Sequence, residues 1–113
     1  MMLEADVLRE VLAEFAGDPR IRIWRAAVGR VQTPTGVWVS FGQPGQADLS
    51  GIIVGSGKRL EIEVKRPGGR LRARQAAFGE AIRRAGGVYA VVTSAGEARA
   101  AVEPHLMPIL PEA

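Results

Sequence analysis

Residues 57–69 read GKRLEIEVKRPGG, and the reading of this stretch sets the fold. Leu60, Ile62 and Val64 alternate with Glu61, Glu63 and Lys65, the period-two pattern of a strand. The apolar row predicts a face turned to a core. The charged row is either a wet strand face or a set of groups aimed at one site. Pro67-Gly68-Gly69 ends the strand. Upstream, LSGIIVG (49–55) is an apolar run of the kind a buried strand shows. GSGK (55–58) joins the two as an antiparallel hairpin. Across that hairpin, Asp48 falls beside Glu63 to Lys65. Two converging carboxylates repel unless a cation lies between them, and hard oxygen ligands suit Mg²⁺ or Mn²⁺.

Working outward, LEADVLREVLAEFA (3–16) carries Val7, Leu8, Val11, Leu12 and Phe15 at helical spacing. Glu4 lies near the middle of that stripe, Glu10 on the opposite side and Glu14 on its margin. A carboxylate on a covered face is costly unless paired or bound to metal. The alternative is a frayed first turn that lets Glu4 reach water. IRIWRAAV (21–28) alternates as a strand, residues 31–36 form a turn region, and VWVSF (37–41) is a short strand. Trp24 and Trp38 sit in these alternating segments and are expected in the core. GQPGQAD (42–48) is a Gly/Pro loop. RLRARQAAFGEAIRRAG (70–86) is a helix with Leu71, Phe78, Ile82 and Ala85 inward. Gln75 shares that stripe, either as a satisfied core amide or as a polar wall of the same cleft. VYAVVT (88–93) is a buried strand, and Ser94 with Glu97 opens a last helix to about residue 103. The tail, 104–113, holds three prolines and is expected to lie on the domain or on a partner. The element order reads α-β-β-β-α-β-α, an α/β chain with a central mixed sheet flanked by helices, in one domain over 1–113 with its core at about 3–103.

Composition narrows the function. With 47% hydrophobic and 24% charged residues the chain is expected to fold into a globule. No apolar run is long enough to span a membrane, and the acid-containing amphipathic start does not resemble a signal peptide. Cysteine is absent, which excludes disulfides and thiolate metal sites and suits the cytoplasm. Asparagine is absent and there are two lysines, a bias that thermophily and a GC-rich genome both produce. The net charge is only +3, yet Lys58 to Arg84 holds nine bases against three acids. Most of those bases are arginine, which suits bidentate phosphate contacts. GSGK is not a phosphate-binding P-loop. Ile52 occupies the position of its first glycine, and Arg59 that of its hydroxyl residue. His105, the one histidine, lies in the Pro-flanked tail and is expected to be structural or exposed.

GQPGQAD followed by EIEVK resembles the Asp…Glu-x-Lys signature of the PD-(D/E)xK nuclease superfamily. It is most similar to the VRR-NUC domain in its small stand-alone phage and bacterial versions. The matching residues are Glu4, Trp24-Arg25 with Gly29, Gly45 to Asp48, Glu63-Val64-Lys65, and Gln75 with Phe78. They span about residues 3–93. Archaeal-type Holliday-junction resolvases look similar in size and motif order. The resemblance implies a restriction-endonuclease-like core and a metal-dependent, structure-selective DNA endonuclease. Asp48, Glu63 and the Val64 carbonyl would hold Mg²⁺, for which Mn²⁺ would substitute, and Lys65 would activate water. Glu4 would bind a metal-coordinated water or a second metal, with Glu10 and Glu14 as alternative helix acids, and Gln75 would position phosphate or water. Arg25, Arg66, Arg70, Arg72 and Arg74 would bind DNA. The resemblance also implies a homodimer that resolves branched double-stranded DNA in the (host) cytoplasm. Rival readings are a nuclease for flaps or mismatches and a non-catalytic nucleic-acid-binding module.

Overall fold

The structure is a computed structural model and describes residues 3–109. Helix α1 (Glu4–Phe15) leads into strand β1 (Ile21–Arg25), a ribbon of β2 (Gly29–Gln32) and β3 (Trp38–Phe41), and the hairpin β4 (Leu49–Ile53) and β5 (Arg59–Val64). Helix α2 (Ala73–Arg84), strand β6 (Val88–Val92), helix α3 (Ala95–Val102) and a 3₁₀ turn at Glu103–His105 complete the described chain. Four strands form one mixed sheet in the order β1-β4-β5-β6, and β2-β3 forms a separate two-stranded sheet.

The expected α/β class and mixed central sheet are found. The expected α-β-β-β-α-β-α order is corrected, because five strands separate α1 from α2. The extended segment 21–28 stops at Arg25, and the turn region expected over 31–36 begins later, because residues 29–32 pair with β3. The hairpin is antiparallel as expected, with Leu49 opposite Ile62 and Gly51 opposite Leu60. Strand β6 runs parallel to β5, Leu60 opposite Val88 through Val64 opposite Val92. A parallel neighbour needs a crossover, and α2 supplies it.

One sheet face makes the core. Leu49, Ile53, Leu60, Ile62, Val64, Val88, Ala90 and Val92 meet Val7, Leu8, Val11 and Phe15 of α1 and Ala98 and Val102 of α3. The α1 stripe is therefore the one its spacing predicts. The other face carries Ser50, Glu61, Glu63 and Tyr89, all buried, under α2. Gly79 permits that approach, since a Cβ there would lie 2.4 Å from the Tyr89 ring. Helix α2 begins at Ala73, not at residue 70. Phe78 and Ile82 are half-buried, and Ala85 is exposed, outside the stripe expected for it. Trp24 and Trp38, expected in the core, are both exposed. Trp24 lies on the second face where α2 does not reach, and Trp38 lies on the ribbon.

Ion pairs fix α1 to α3 at the far end of the molecule. Arg20 and Arg99 both hold Asp18, at 2.8 and 2.9 Å, and both reach Glu103 at 2.9 Å. Arg99 also lies 3.5 Å from Glu14. The Ser94 hydroxyl caps α3 by accepting from the Glu97 amide, while the Glu97 carboxylate accepts from the Thr93 amide instead of closing the expected box on Ser94. In the tail, Leu106 reaches the core margin and Met107 lies against Gly55. Residues 110–113 lie outside the described residues.

The guanidinium of Arg20, and then that of Arg99, holds the Asp18 carboxyl well below the ordinary carboxylate range. A carboxylate with a depressed pKa contributes stability above its unfolded value and loses it as pH falls. Asp18→Asn is expected to cost on the order of 2 kcal/mol at neutral pH. Thermal unfolding should show that deficit shrinking as the pH is taken below about 4.

Candidate active site

Hairpin pairing brings the acids together. Leu49 opposes Ile62, so Asp48 and Glu63 are the next residues outward on the two strands. The Val64 amide donates to Asp48 Oδ2 at 2.8 Å, and the Ala26 amide donates to the Asp48 carbonyl at 2.9 Å. Asp48 is thus tied to β5 through its side chain and to the end of β1 through its backbone. Its side chain stays open to solvent, whereas Glu63 is only 2% exposed.

The surroundings of Glu63 are unusual for a carboxylate. Oε1 accepts from Gln75 Nε2 at 3.2 Å and lies 4.0 Å from Lys65 Nζ. Oε2 is buried with no hydrogen-bond partner. Burial, followed by the adjoining Asp48 carboxylate, pushes the Glu63 carboxyl up to about 8, against the opposing pull of Lys65. Glu4 adds a smaller push in the same direction. Lys65 is itself buried at the end of β5, with its amide bound to the Val92 carbonyl at 2.9 Å.

Glu4 stands in the first turn of α1 and is exposed, so it does not sit in the covered stripe. It lines a cleft of about 200 Å³ with Ala5, Leu8, Asp48 and Val64. Glu14 is drawn away to Arg99, and Glu10 is exposed on the far side of the helix. Among the three helix acids, Glu4 is the one that shares a cleft with Asp48.

Gln75 resolves the expectation of an inward amide in favour of the cleft. Its Oε1 accepts from the Arg72 amide at 2.8 Å, closing the start of α2, and its Nε2 faces Glu63. Its carbonyl accepts from the Tyr89 hydroxyl at 3.4 Å. The loop bearing Asp48 touches this same turn through Gly45. A Cβ on Gly45 would fall 2.1 Å from the Arg74 carbonyl oxygen, and its φ is +75°. Only glycine fits both demands.

The sequence reading missed Glu61. One of the charged row of the 57–69 strand, it is neither wet nor aimed at the site but fully buried, with Oε2 accepting from Ser50 Oγ and Oε1 from Arg59 Nε, both at 2.8 Å. A signal was present: β6 is apolar on both sides, so its neighbour β5 lies between covered faces. Tyr89 was also missed. Burial, with a further contribution from Glu63, pushes its hydroxyl up to about 12.

Arg66, Arg70, Arg72 and Arg74 follow Lys65 and are all exposed, as is Arg25. Among the described residues none of the five is in an ion pair, whereas Arg9, Arg20, Arg59, Arg84 and Arg99 all are. Arg72, Arg74 and Gln75 line an open groove of about 550 Å³ with Gly45. The site therefore has two open sides, one toward Glu4 and one toward the arginines.

Among the described residues no three acids or histidines close into a ready-made metal cage. The two adjoining carboxylates are donors of the kind that a hard cation takes while it keeps several waters. The orphaned Glu63 Oε2 and the raised Glu63 pKa both mark a place where added positive charge would be favourable. The sequence matches no known protein family, and no characterised protein matches it significantly.

Two outcomes test the site. A carboxyl with a raised pKa keeps a proton that the unfolded chain releases, so without divalent cations stability should fall as pH rises from about 4.5 to about 8. Glu63→Gln is expected to remove that slope and leave the variant on the order of 3 kcal/mol more stable above pH 8. Thermal unfolding in chelator reads both. Gly45→Ala should lower stability by roughly 1–3 kcal/mol and part the Asp48 loop from α2, visible as faster amide exchange at Gln75.

Proposed function

We propose that this protein is a metal-dependent DNA endonuclease with a restriction-endonuclease-like core of the VRR-NUC kind, and that it acts on branched duplexes as a homodimer. The observation that carries the reading is the convergence of Asp48 and Glu63, with one Glu63 oxygen buried and unpartnered, beside Lys65 and Gln75. A structural ion pair would leave no such oxygen, and a purely binding surface would have no use for two acids facing an arginine groove.

Asp48, Glu63 and the Val64 carbonyl would hold Mg²⁺ or Mn²⁺, which supplies Lewis-acid polarisation of the phosphodiester and a water of lowered pKa. The residues around them have separable tasks. Glu63 must be ionised to act as a ligand, so binding displaces its proton. Lys65 Nζ lies 4.0 Å from Glu63 Oε1 and would steady the negative charge that develops on a phosphate held there. Gln75 Nε2 donates to Glu63 Oε1 and fixes the orientation of its carboxyl group. Glu4 lines the α1 side of the cleft and would accept from a metal-coordinated water there. Arg66, Arg70, Arg72 and Arg74 are free to neutralise successive phosphates, and Arg25 extends that surface toward β1. Arginines that contact phosphates position a duplex without reading its bases, which is compatible with a substrate distinguished by its shape, such as a four-way junction.

The test is a labelled panel of four-way junction, flap, mismatched and linear duplexes, with and without Mg²⁺. Mg²⁺-dependent, paired symmetric cuts in the junction are expected. Lys65→Ala is expected to slow cleavage by about 10²–10⁴-fold with binding retained, and Asp48→Asn to abolish it. Binding that is salt-sensitive, uncleaved and indifferent to Glu63→Gln would identify a non-catalytic module instead.

A further inference from the structure

Helix α2 packs on β6 and β5 and leaves the β1 side of the same sheet face open. Ile21 and Ile23 of β1 turn to the core, so alternation puts Arg22 and Trp24 on the open face. Register sets their neighbours. Arg22 opposes Ile52, which opposes Arg59, and Trp24 opposes Ser50, which opposes Glu61. Trp24 is 43% exposed and Ile52 41%, and both arginines are exposed. A lone exposed apolar side chain needs no explanation, but this indole stands in a defined setting.

The Arg59 guanidinium lies 6.0 Å from the centre of the Trp24 ring. The same guanidinium is tied through Nε to the buried Glu61 carboxylate at 2.8 Å, and Ser50, the partner of Trp24 across the strands, donates to the other Glu61 oxygen. Glu61 thus fixes a cation against the ring. The surroundings carry charge of one sign. Between Asp18 and Asp48 the chain has no acid and four arginines, at 20, 22, 25 and 30. Among the described residues Arg22, like Arg25, is in no ion pair. The ribbon repeats the arrangement, with the Arg30 guanidinium 4.9 Å from the centre of the exposed Trp38 ring.

We propose that Trp24, backed by Arg59 and flanked by Arg22, is a stacking platform for an unpaired base of single-stranded DNA. Exposed rings among unpaired guanidinium groups are the means by which single strands are held: the ring takes the base and the cations take the phosphates. A blunt duplex keeps its base faces inside the stack and offers an indole nothing. The position of the ring favours DNA over an acidic protein surface. Trp24 lies two strands across from β5 and one row back from Glu63, on the order of 12 Å by strand spacing and rise. A strand whose phosphate reaches Glu63 would bring a base to Trp24 about three to four nucleotides away if stacked, and fewer if extended. The inference deepens the nuclease reading, on which its choice of DNA rests. It names an unpaired strand beside the scissile phosphate as the feature of a branched duplex that this chain holds.

Indole fluorescence in chelator, where no metal-dependent cutting can occur, tests it. The chain has two tryptophans, so Trp38→Phe leaves Trp24 as the sole indole. Titration with an oligothymidylate of about 12 nucleotides is expected to quench it, and an abasic strand of the same length and charge to bind without quenching. Anisotropy of the labelled oligothymidylate reads affinity. Trp24→Ala is expected to weaken binding about 5- to 150-fold, the worth of one stacked base, and Trp24→Phe to keep most of it. A blunt duplex should bind both variants alike. No quenching, quenching that the abasic strand matches, an affinity that Trp24→Ala leaves unchanged, or a loss that the blunt duplex shares overturns the inference. Base-dependent quenching in a protein that cuts no DNA upholds the platform and removes the nuclease reading, while Mg²⁺-dependent cutting without such quenching does the reverse.

Discussion

Glu63 is a carboxylate at the centre of a sheet, 2% exposed, with a second acid at the next position across the hairpin. Burial and like charge both resist its ionisation; with both acids ionised one of its oxygens has no hydrogen-bond partner, and a proton kept on Glu63 bonds it to Asp48. A fold that needed only stability would place an apolar side chain there. Much of the surrounding structure acts to keep this arrangement in place. Gln75 supplies the one hydrogen bond to the carboxylate, and the α2 start that carries Gln75 is set by its bond to the Arg72 amide. Gly45 lets the Asp48 loop rest on that start, and Gly79 lets α2 lie on Tyr89, whose hydroxyl returns to the Gln75 carbonyl.

The two sheet faces divide the work. The α1/α3 face is apolar throughout and carries the hydrophobic core, while the α2 face buries polar groups and is covered only in part. Glu61 belongs to that second face, but Ser50 and Arg59 satisfy it on both oxygens. The two glutamates are two residues apart, equally buried and equally directed. Paired hydrogen bonds make Glu61 a structural group, and the lack of a partner for Oε2 sets Glu63 apart. Burial of a charge on its own does not identify a site; burial with unmet bonding capacity is the more selective sign.

Much of this was legible in the sequence because it rests on local rules. The glycine-containing turn and the two alternating runs specify the hairpin, and the hairpin alone brings Asp48 to Glu63. The α1 stripe and the inward Gln75 follow from helical period. The missed features depend on what covers each element, which local pattern does not encode. Trp24 and Trp38 alternate as core residues do, but α2 leaves the first uncovered and the ribbon lies away from the core. The same gap hid β2: GRVQ has one apolar residue in four, too weak a pattern to announce a strand, and it is extended because β3 pairs with it. Glu61 looked like a surface residue because its burial comes from Ser50 and Tyr89 on neighbouring strands.

The arginines show why net charge is a poor guide to the surface of this protein. At one end Arg20 and Arg99 are consumed by Asp18, Glu14 and Glu103, and their charge is cancelled within a few ångströms. At the other end Arg66, Arg70, Arg72 and Arg74 stand exposed, without acidic partners among the described residues, at and before the first turn of α2, which touches both Gly45 and Glu63. The total of +3 is the sum of a strongly basic segment, Lys58 to Arg84 with nine bases and three acids, and an acidic remainder. An approaching polyanion responds to the local field, and the exposed Arg72 and Arg74 line the same groove as Gln75, the partner of Glu63. The positive groove would hold a phosphate chain against a carboxylate pair that would otherwise repel it, and a cation between them would remove that repulsion.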